Sequence, residues 1–554
     1  MAHPDASMSG GEGPGGRAFD PLEMLESAAD LMNPLAAAKQ MPWLAGELVK
    51  IPLGRSGIAF EEGDRRFADV TWQENVFFRL LGRGYRLFEE WTGRMADAVD
   101  GPWDRQARAR YLANLVTAMT SPTNFFLTNP AALKRAFETG GMSALRGGRN
   151  MVRDLTRGGM PQMVRGMPQM VNREPFPVGE KLACTPGAVV YRDEIFELLQ
   201  YTPATAAVRG RPLLMVPPEL NRHYVLDLAP GRSLVEFAVA SGIQTFMIVW
   251  RNPRAELGHG RWGLDDYLAA QARAAEVVKK ITRSDTVNWL GLCAGGITTA
   301  LMLGHLAATG DASAGSATFI VTMLTNSCPN IIGMMDTTNS RNVLRRAAAG
   351  GQIIPGRSVR TGFAWLRPND LVFNYLVSGW LLGQDPPSFD VLAWNDDATA
   401  ITAKFALEST ELLVDAMERQ DGITVLGTPI DLAKVDCDSF HVAGYTDHIT
   451  PWRAAYTSTQ VLGGDKQMAV VKSGHIQSFV NPATSTRYDY WEGPPDADDP
   501  DRWLAAAAVH HGSWWPQWMQ WLTARSGTEK AAPRTLGSRK YPPLGPAPGT
   551  YVTG

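Results

Sequence analysis

Short apolar runs recur along the chain after residue 178 and alternate with stretches of helical periodicity. The runs contain many β-branched and large apolar residues and few polar positions. Runs of this kind are typical of strands in a parallel sheet that is covered by helices on both faces. We therefore predict an α/β fold. The runs lie at 213–216, 245–250, 287–290, 318–321, 440–443 and 468–471, and the clearest helical stretches between them at 264–281 and 297–308.

Two other regions have different patterns. From residue 20 to about 145, apolar and charged residues follow helical spacing, with a proline near the start. Between 328 and 430 the alternation of strands and helices stops, and Trp, Pro and Asn are frequent, as in an insertion that forms a lid. We predict a disordered leader over 1–18, a mainly helical N-terminal domain over 19–195, and a catalytic domain over 196–554 with a cap insertion at about 328–430.

Composition and charge narrow the class of protein. The chain has 554 residues, of which 45% are hydrophobic, so it can bury a large core. Its 53 basic and 56 acidic residues give a net charge of −3, which offers no electrostatic basis for binding nucleic acid. We expect neither a secretory signal nor a transmembrane helix, because no apolar run is long enough. The four cysteines are too few and too scattered for a disulfide scaffold.

The most informative segment is 291–296, Gly-Leu-Cys-Ala-Gly-Gly, which stands between a predicted strand and a predicted helix. It matches the sharp G-x-S-x-G turn that presents a nucleophile, with Cys293 in place of serine. The positive end of the following helix favours a thiolate. The N–H of Ala294 would form half of an oxyanion hole. A buried cysteine in a tight turn remains the alternative, and the other three cysteines are interpreted as structural.

Asp447 and His475 are the candidate partners of this cysteine. Each follows a predicted strand, so both side chains belong at the edge of the sheet where an open parallel sheet places its site. The chain order of nucleophile, acid and histidine fits that of the G-x-S-x-G enzymes. His475 can take the Cys293 proton, while Asp447 can hold the imidazole or assist a second hydroxyl. Asp447 could instead cap a helix. His448 is interpreted as a supporting residue, and no histidine has the spacing of a metal site.

Three stretches together resemble the polyhydroxyalkanoate synthases: 291–296, Asp-His-Ile-Thr-Pro-Trp at 447–452, and Ser-Gly-His-Ile-Gln-Ser at 473–478. The likeness runs from about residue 65 to the C-terminus, and the length resembles the single-subunit classes I and II. Ala294 departs from the class that takes medium-length monomers, which commonly has serine there. Further similar stretches lie at 216–228, 250–253, 366–371, 394–397 and 546–552.

The resemblance implies an α/β-hydrolase fold with a large cap and an acyltransferase that polymerises (R)-3-hydroxyacyl-CoA with release of CoA. It implies a covalent thioester at Cys293 with His475 as the base, while Asp447 helps to activate the 3-hydroxyl. The loop at Pro218 would supply a second oxyanion donor, and no cofactor or metal is needed. The family also implies a homodimer in the cytoplasm, at the surface of polymer granules, where it meets the growing polyester chain and granule-associated proteins.

Two other functions remain open at this point. An esterase, thioesterase or polyester depolymerase of the same fold would share the same three residues, but its product would be soluble. A non-catalytic protein that coats granules would use the N-terminal helices and would tolerate the loss of Cys293.

Overall fold

The computed structural model describes residues 21–156, 167–326, 328–417 and 422–554, so the predicted leader at 1–18 lies outside the described residues. The N-terminal part is helical, as the periodicity predicts. Asparagine caps begin several of its helices: the Asn33 side chain accepts from Leu35 N at 3.0 Å, and the Asn75 side chain from Phe77 N at 2.9 Å. The helices are Pro21–Leu31, Pro34–Lys50, Thr71–Glu74, Val76–Asp97, Trp103–Thr120, Pro130–Glu138 and Met142–Thr156.

The rest of the chain is built on one eleven-stranded sheet. Six central strands are parallel, and antiparallel strands extend both sides. The strands are β1 (Gly187–Arg192), β2 (Phe196–Tyr201), β4 (Leu213–Val216), β5 (Thr245–Trp250), β6 (Val287–Leu292), β7 (Ala314–Ile320), β12 (Ser439–Gly444), β13 (Lys466–Val471), β14 (Asp489–Gly493), β15 (Ala508–His511) and β17 (Gly545–Pro546). Their order across the sheet is β15-β14-β13-β12-β7-β6-β4-β5-β2-β1-β17.

Within the described residues, three two-stranded ribbons lie outside this sheet. They pair β3 (Ala207–Arg209) with β16 (Glu529–Ala531), β8 (Ile353–Ile354) with β9 (Ile401–Thr402), and β10 (Thr424–Val425) with β11 (Thr428–Pro429).

The six apolar runs in the sequence are the six parallel strands β4, β5, β6, β7, β12 and β13, so the prediction of an α/β fold is confirmed. Buried clusters cover both faces of the sheet, because alternate side chains of each strand point to opposite faces. Leu213 and Met215 belong to one cluster, while Leu214 and Val216 belong to the other. The covering helices are Leu234–Ala240, Leu264–Thr282, Ala294–Thr309, Trp452–Thr459, Pro500–Ala506 and Trp515–Ala524.

The first strand of the sheet lies earlier in the chain than the sequence indicates. β1 is part of the large sheet, although it falls within the range 19–195 predicted as mainly helical. It pairs with β2 on one side and β17 on the other. The two-domain division itself stays a prediction, and the sheet begins at residue 187.

The predicted cap falls in the segment between β7 and β12. This segment packs on the loop that follows β4: Trp394 Nε1 donates to the Arg222 carbonyl at 2.9 Å, and the Tyr224 hydroxyl donates to Asp397 at 2.7 Å. The segment contains the helices Ile331–Met335, Thr338–Ala349, Gly356–Trp365, Asn374–Leu376, Asp390–Asp396 and Ala403–Glu411, and the π-helical turns Asn369–Phe373, Val377–Leu381 and Leu412–Ala416.

The N-terminal helices pack against this same segment. Trp380 Nε1 donates to Asp154 at 2.9 Å, and Asn150 Nδ2 donates to the Gly379 carbonyl at 3.0 Å. Gly147 lies so close to the Trp380 carbonyl that a Cβ at this position would overlap it. The N-terminal helices therefore support the segment between β7 and β12. In the parts of the chain that the structure describes, no helix is both long and apolar enough to cross a membrane.

We predict that Gly147→Ala destabilises the protein, whereas Gly148→Ala does not. The new methyl group of Gly147→Ala must displace the backbone at Trp380, and such overpacking costs about 1–3 kcal/mol. At Gly148 the Cβ meets open space, and alanine in a helix is favoured over glycine by up to about 1 kcal/mol. Thermal unfolding followed by circular dichroism measures both. Equal midpoints for the two variants would show that the helix does not press on Trp380.

Candidate active site

Cys293 occupies the turn between β6 and the helix Ala294–Thr309, with φ 52° and ψ −117°. A non-glycine residue at positive φ costs about 1–3 kcal/mol and persists only where the surroundings hold it. Here the Cys293 N–H donates to the Ile320 carbonyl at 2.9 Å, and the Gly296 N–H donates to the Cys293 carbonyl at 2.9 Å. The backbone around the cysteine is therefore fixed from both sides.

Three glycines make this turn sterically possible. A Cβ at Gly291 would lie 2.7 Å from Thr299 Oγ1. At Gly295 it would overlap the Val216 carbonyl, and at Gly296 it would overlap the Thr322 side chain. The helix that follows Cys293 thus lies directly against the ends of β4 and β7, as the glycine pattern of the sequence predicts.

The ends of three parallel strands bring Cys293, Asp447 and His475 to one edge of the sheet. Asp447 follows β12, and His475 follows β13. The register pairs Leu292 with Ile320, so the strands end at nearly the same level. Further along, Val442 pairs with Ile320, and Gly444 pairs with Val471. The three side chains predicted from the sequence therefore share one site.

The Asp447 carboxylate has a full set of hydrogen bonds. Its Oδ2 lies 2.6 Å from His475 Nδ1 and accepts from the Thr450 hydroxyl at 2.7 Å. Its Oδ1 accepts from the N–H groups of Ile449 at 2.8 Å and Thr450 at 3.1 Å. Burial pushes the pKa of Asp447 up, but His475 and Thr450 outweigh it and hold the pKa below its ordinary value.

The alternative reading of Asp447 as a helix N-cap does not fit this geometry. The helix Trp452–Thr459 follows Pro451, and Asp447 instead closes a turn over residues 447–450 while it holds His475. Both the turn and the histidine use the same carboxylate.

His475 links the carboxylate to the cysteine. Burial disfavours its positive charge, but the charge and hydrogen bond of Asp447, together with the interaction with Cys293, raise the pKa of His475 above its ordinary value. Because Nδ1 faces Asp447, Nε2 is the ring nitrogen left for the thiol. The imidazole is therefore placed to accept the thiol proton.

The supporting residues differ in what they can supply. Ala294 begins the helix, so its N–H has no intrahelical acceptor. Pro218 has no N–H, and the first amide after the two prolines of this loop belongs to Glu219. His448 is half-buried. Its burial, and to a smaller extent the positive charge of Arg367, lower the pKa of His448 to about 4. Its supporting role stays a prediction.

Several residues that the sequence analysis does not single out belong to this environment. Thr450 holds Asp447, and its position three residues further on is the spacing of an Asp-initiated turn. Glu219 and Thr298 form a buried hydrogen bond between the loop after β4 and the helix Ala294–Thr309, which we call the nucleophile helix because it follows Cys293. No sequence pattern signals this second pair, because the two residues meet only in the folded chain. Within the described ranges, no three His, Cys, Asp or Glu side chains cluster as metal ligands do.

Comparison with known proteins adds two family matches to this geometry. Residues 63–238 match the N-terminal region of poly-beta-hydroxybutyrate polymerase, and residues 246–482 match the alpha/beta hydrolase fold. The chain is 39% identical to poly(3-hydroxyalkanoate) polymerase 2 of Ectopseudomonas oleovorans, over 95% of this chain and 93% of that protein. The chain belongs to the poly(3-hydroxyalkanoate) polymerase family. The predicted family, acyltransferase class and α/β-hydrolase fold are thereby confirmed.

Other relatives of this polymerase carry the same description. Poly(3-hydroxyalkanoate) polymerase 1 of the same organism is 39% identical over 96% of this chain and 94% of its own length. The polymerase subunit PhaC of Cupriavidus necator is 39% identical over 88% of this chain and 83% of its own length. The similarity thus includes both the N-terminal helices and the sheet.

We predict that Cys293 is the first cysteine of the polymerase to react with iodoacetamide at pH 7. Burial raises the pKa of Cys184 and Cys328, and burial with Asp436 and Asp438 raises that of Cys437 to about 12. Only Cys293 combines a histidine with a helix N-terminus, the setting that activates thiols. Peptide mapping by mass spectrometry after brief labelling measures the order.

The matched control for this labelling is His475→Asn, which should slow the reaction of Cys293 and leave the other three cysteines unchanged. Faster labelling of any other cysteine in the parent protein would contradict the assignment.

Proposed function

We propose that this polymerase joins (R)-3-hydroxyacyl-CoA thioesters into polyhydroxyalkanoate and releases CoA, through a covalent thioester at Cys293. The observation that carries the proposal is the placement of His475 between Asp447 and Cys293 at the edge of the sheet. No cofactor takes part, because the substrate is already activated as a thioester.

The first step exchanges one thioester for another. His475 accepts the Cys293 proton, and the thiolate attacks the acyl carbonyl of the substrate. The bond from this carbonyl to the CoA sulfur breaks, and the departing CoA thiolate takes the proton from the imidazolium. One thioester forms and one is lost, so the step is nearly neutral in energy. The acyl group therefore stays activated, whereas a serine ester would lose that activation.

The second step lengthens the polyester. The 3-hydroxyl of one unit attacks the thioester carbonyl of another, an ester bond forms, and the carbon–sulfur bond breaks. The Asp447 side chain is fully buried, and its oxygens are occupied by Thr450, Ile449 and His475. Asp447 therefore assists the hydroxyl through the imidazole, which takes the hydroxyl proton and returns one to the leaving sulfur.

Backbone N–H groups stabilise the negative charge on the carbonyl oxygen in both steps. Ala294 supplies one donor at the start of its helix. We assign the second donor to Glu219, because it has the first amide of the loop after β4 and that loop contacts the helix at Gly295. Pro218 sets the course of the loop and donates nothing.

Water must be excluded for a chain to grow rather than hydrolyse. The segment between β7 and β12 supports this exclusion, since Arg367 and Asp370 lie close enough to His448, the neighbour of Asp447, to affect its charge. A cap over the edge of the sheet keeps water from the thioester, so the same three residues act in a synthase rather than in an esterase.

The test of the proposed function is an assay with (R)-3-hydroxyacyl-CoA substrates of four to about twelve carbons that reads thiol release and insoluble polymer together. We expect both products from the parent protein and a loss of about a thousandfold or more in Cys293→Ala. Thiol release with only soluble 3-hydroxy acid would identify a thioesterase. Retained polymer synthesis in Cys293→Ala would refute the covalent route.

Asp447→Asn separates the two steps in the same assay. The amide no longer stabilises the imidazolium, and elongation needs the imidazole to activate a weakly acidic hydroxyl. The first thiol release should therefore slow less than continued elongation. Equal slowing of both steps would contradict the role in hydroxyl activation.

We also propose that the N-terminal helices contact the apolar surface of the polymer granule. Several large apolar side chains are exposed on these helices and their connections and are available for contact with an apolar surface. Phe137 is 91% exposed and Leu127 is 77% exposed. Further exposed apolar side chains in this part of the chain are Leu35, Leu53, Phe77 and Leu145. A homodimer and granule-associated proteins, which the family resemblance implies, are likewise part of this proposal.

Phe137→Ser with Leu127→Ser should reduce binding to purified polymer particles at least about tenfold, because burial of each such side chain contributes about 1.5–3 kcal/mol. Co-sedimentation measures the bound fraction. Leu257→Ser is the matched control, since Leu257 is also exposed, at 45%, but follows β5 in the catalytic part. Equal binding by all three proteins would rule out this surface.

A further inference from the structure

Glu219 is a buried carboxyl group that the mechanism above does not use. It directly follows the two prolines after β4, and 3% of the residue is exposed. Its Oε1 accepts from the Thr298 hydroxyl at 2.8 Å, while its Oε2 is buried without a hydrogen-bond partner. Buried oxygens without partners are rare, and a carboxylate in this position is costly.

The hydrogen bond of Glu219 connects the loop after β4, here called the oxyanion loop, to the nucleophile helix Ala294–Thr309. Thr298 lies one turn after Cys293, and its hydroxyl also contacts the Gly295 carbonyl at 3.2 Å. Gln271 Nε2 donates to the same hydroxyl at 2.7 Å from the helix Leu264–Thr282. Three elements therefore meet at one threonine, directly below the backbone that presents the cysteine.

No described cation compensates a negative charge on Glu219. The helix Leu264–Thr282 faces it with Tyr267 and Gln271, and the nucleophile helix faces it with Thr298. On its own loop, Arg222 is directed to Asp397, with 3.5 Å between Nε and Oδ1. Burial, opposed by the hydrogen bond from Thr298 and by the backbone N–H of Glu219, raises the pKa of Glu219 to about 7.

We propose that Glu219 is a positioning residue for the oxyanion hole, and that the site works best while its carboxyl group is neutral. The carboxyl group ties the loop to the nucleophile helix through Thr298 and so fixes the distance between the Glu219 and Ala294 amides. The proposal rests on the proposed function for its substrate, but it concerns only residues of this chain.

Two physical effects explain why the oxyanion hole works best when the Glu219 carboxyl group is neutral. The N–H of Glu219 favours the ionised form of its own carboxyl group, so an ionised carboxylate competes for this N–H more strongly than a neutral acid does. A carboxylate beside the developing oxyanion also repels it in a site of low dielectric. Ionisation therefore weakens one donor and adds an unfavourable charge, whereas protonation reverses both.

The test compares pH profiles of kcat/KM for thiol release between the parent protein and Glu219→Gln. Glutamine keeps the shape and the acceptor for Thr298 but does not ionise. The parent should lose activity as the pH rises through about 7, because Glu219 ionises there. In Glu219→Gln this loss should move up by at least one pH unit, after each profile is scaled to its own maximum. An unchanged alkaline limb would overturn the proposal.

Further variants separate positioning from general stability. Glu219→Leu removes the link to Thr298 and should lower kcat by about 10- to 100-fold with KM within about twofold, less than the 100- to 1000-fold loss expected for a whole donor. Glu219→Gln should recover most of that loss at pH 6. A drop in thermal midpoint with kcat unchanged in Glu219→Leu would show a purely structural role.

Glu492→Gln is the matched control, because Glu492 is another carboxyl whose pKa burial raises, on β14 at the far side of the sheet. Its profile should follow that of the parent, and an equal shift would show that the effect is not specific to position 219. Absence of thiol release by the parent itself would refute the proposed function instead, so the two failures are distinguishable.

Discussion

The close approach of the nucleophile helix to the sheet depends on three glycines, which have no Cβ atom. Gly291, Gly295 and Gly296 let the nucleophile helix lie against the ends of β4 and β7, closer than any side chain would permit. That contact holds Cys293 in a strained conformation above the sheet. It also presses the loop after β4 onto the start of the helix, so the thiol and the backbone amides that would stabilise an oxyanion are positioned by the same contact.

The parallel centre of the sheet was predictable, whereas its edges were not. β5 and β6 are buried at every position, which leaves continuous apolar runs in the sequence. β14 alternates buried and half-buried residues, and β15 is mostly exposed, so both lack this signal. β1 falls within the range that is predicted to be mainly helical. It becomes a strand by pairing with β2 and β17, and its own six residues do not reveal this pairing.

The residues of the candidate site also divide into those that the sequence predicts and those that only the folded structure reveals. Cys293, Asp447 and His475 each follow a recognisable strand, so their meeting was predictable from topology. Glu219 lies 79 residues from Thr298 in the sequence and meets it only across packed elements. Its effect depends on burial and on the lack of a nearby cation, which are properties of the folded interior. The lack of an N–H at Pro218 follows from the chemistry of proline alone, and it is the reason why we propose Glu219 as the second donor.

The outer strands of the sheet affect how two such chains can associate. β17 has two residues, one of them a proline without an N–H to offer a neighbour. At the opposite margin, β15 carries His510 and His511, which interact with Glu492 and Asp489 of the adjoining strand. Neither margin offers a long row of free backbone groups, so sheet continuation from one copy into another is disfavoured. Self-association would rely on side-chain surfaces, which leaves each sheet closed to cross-strand aggregation.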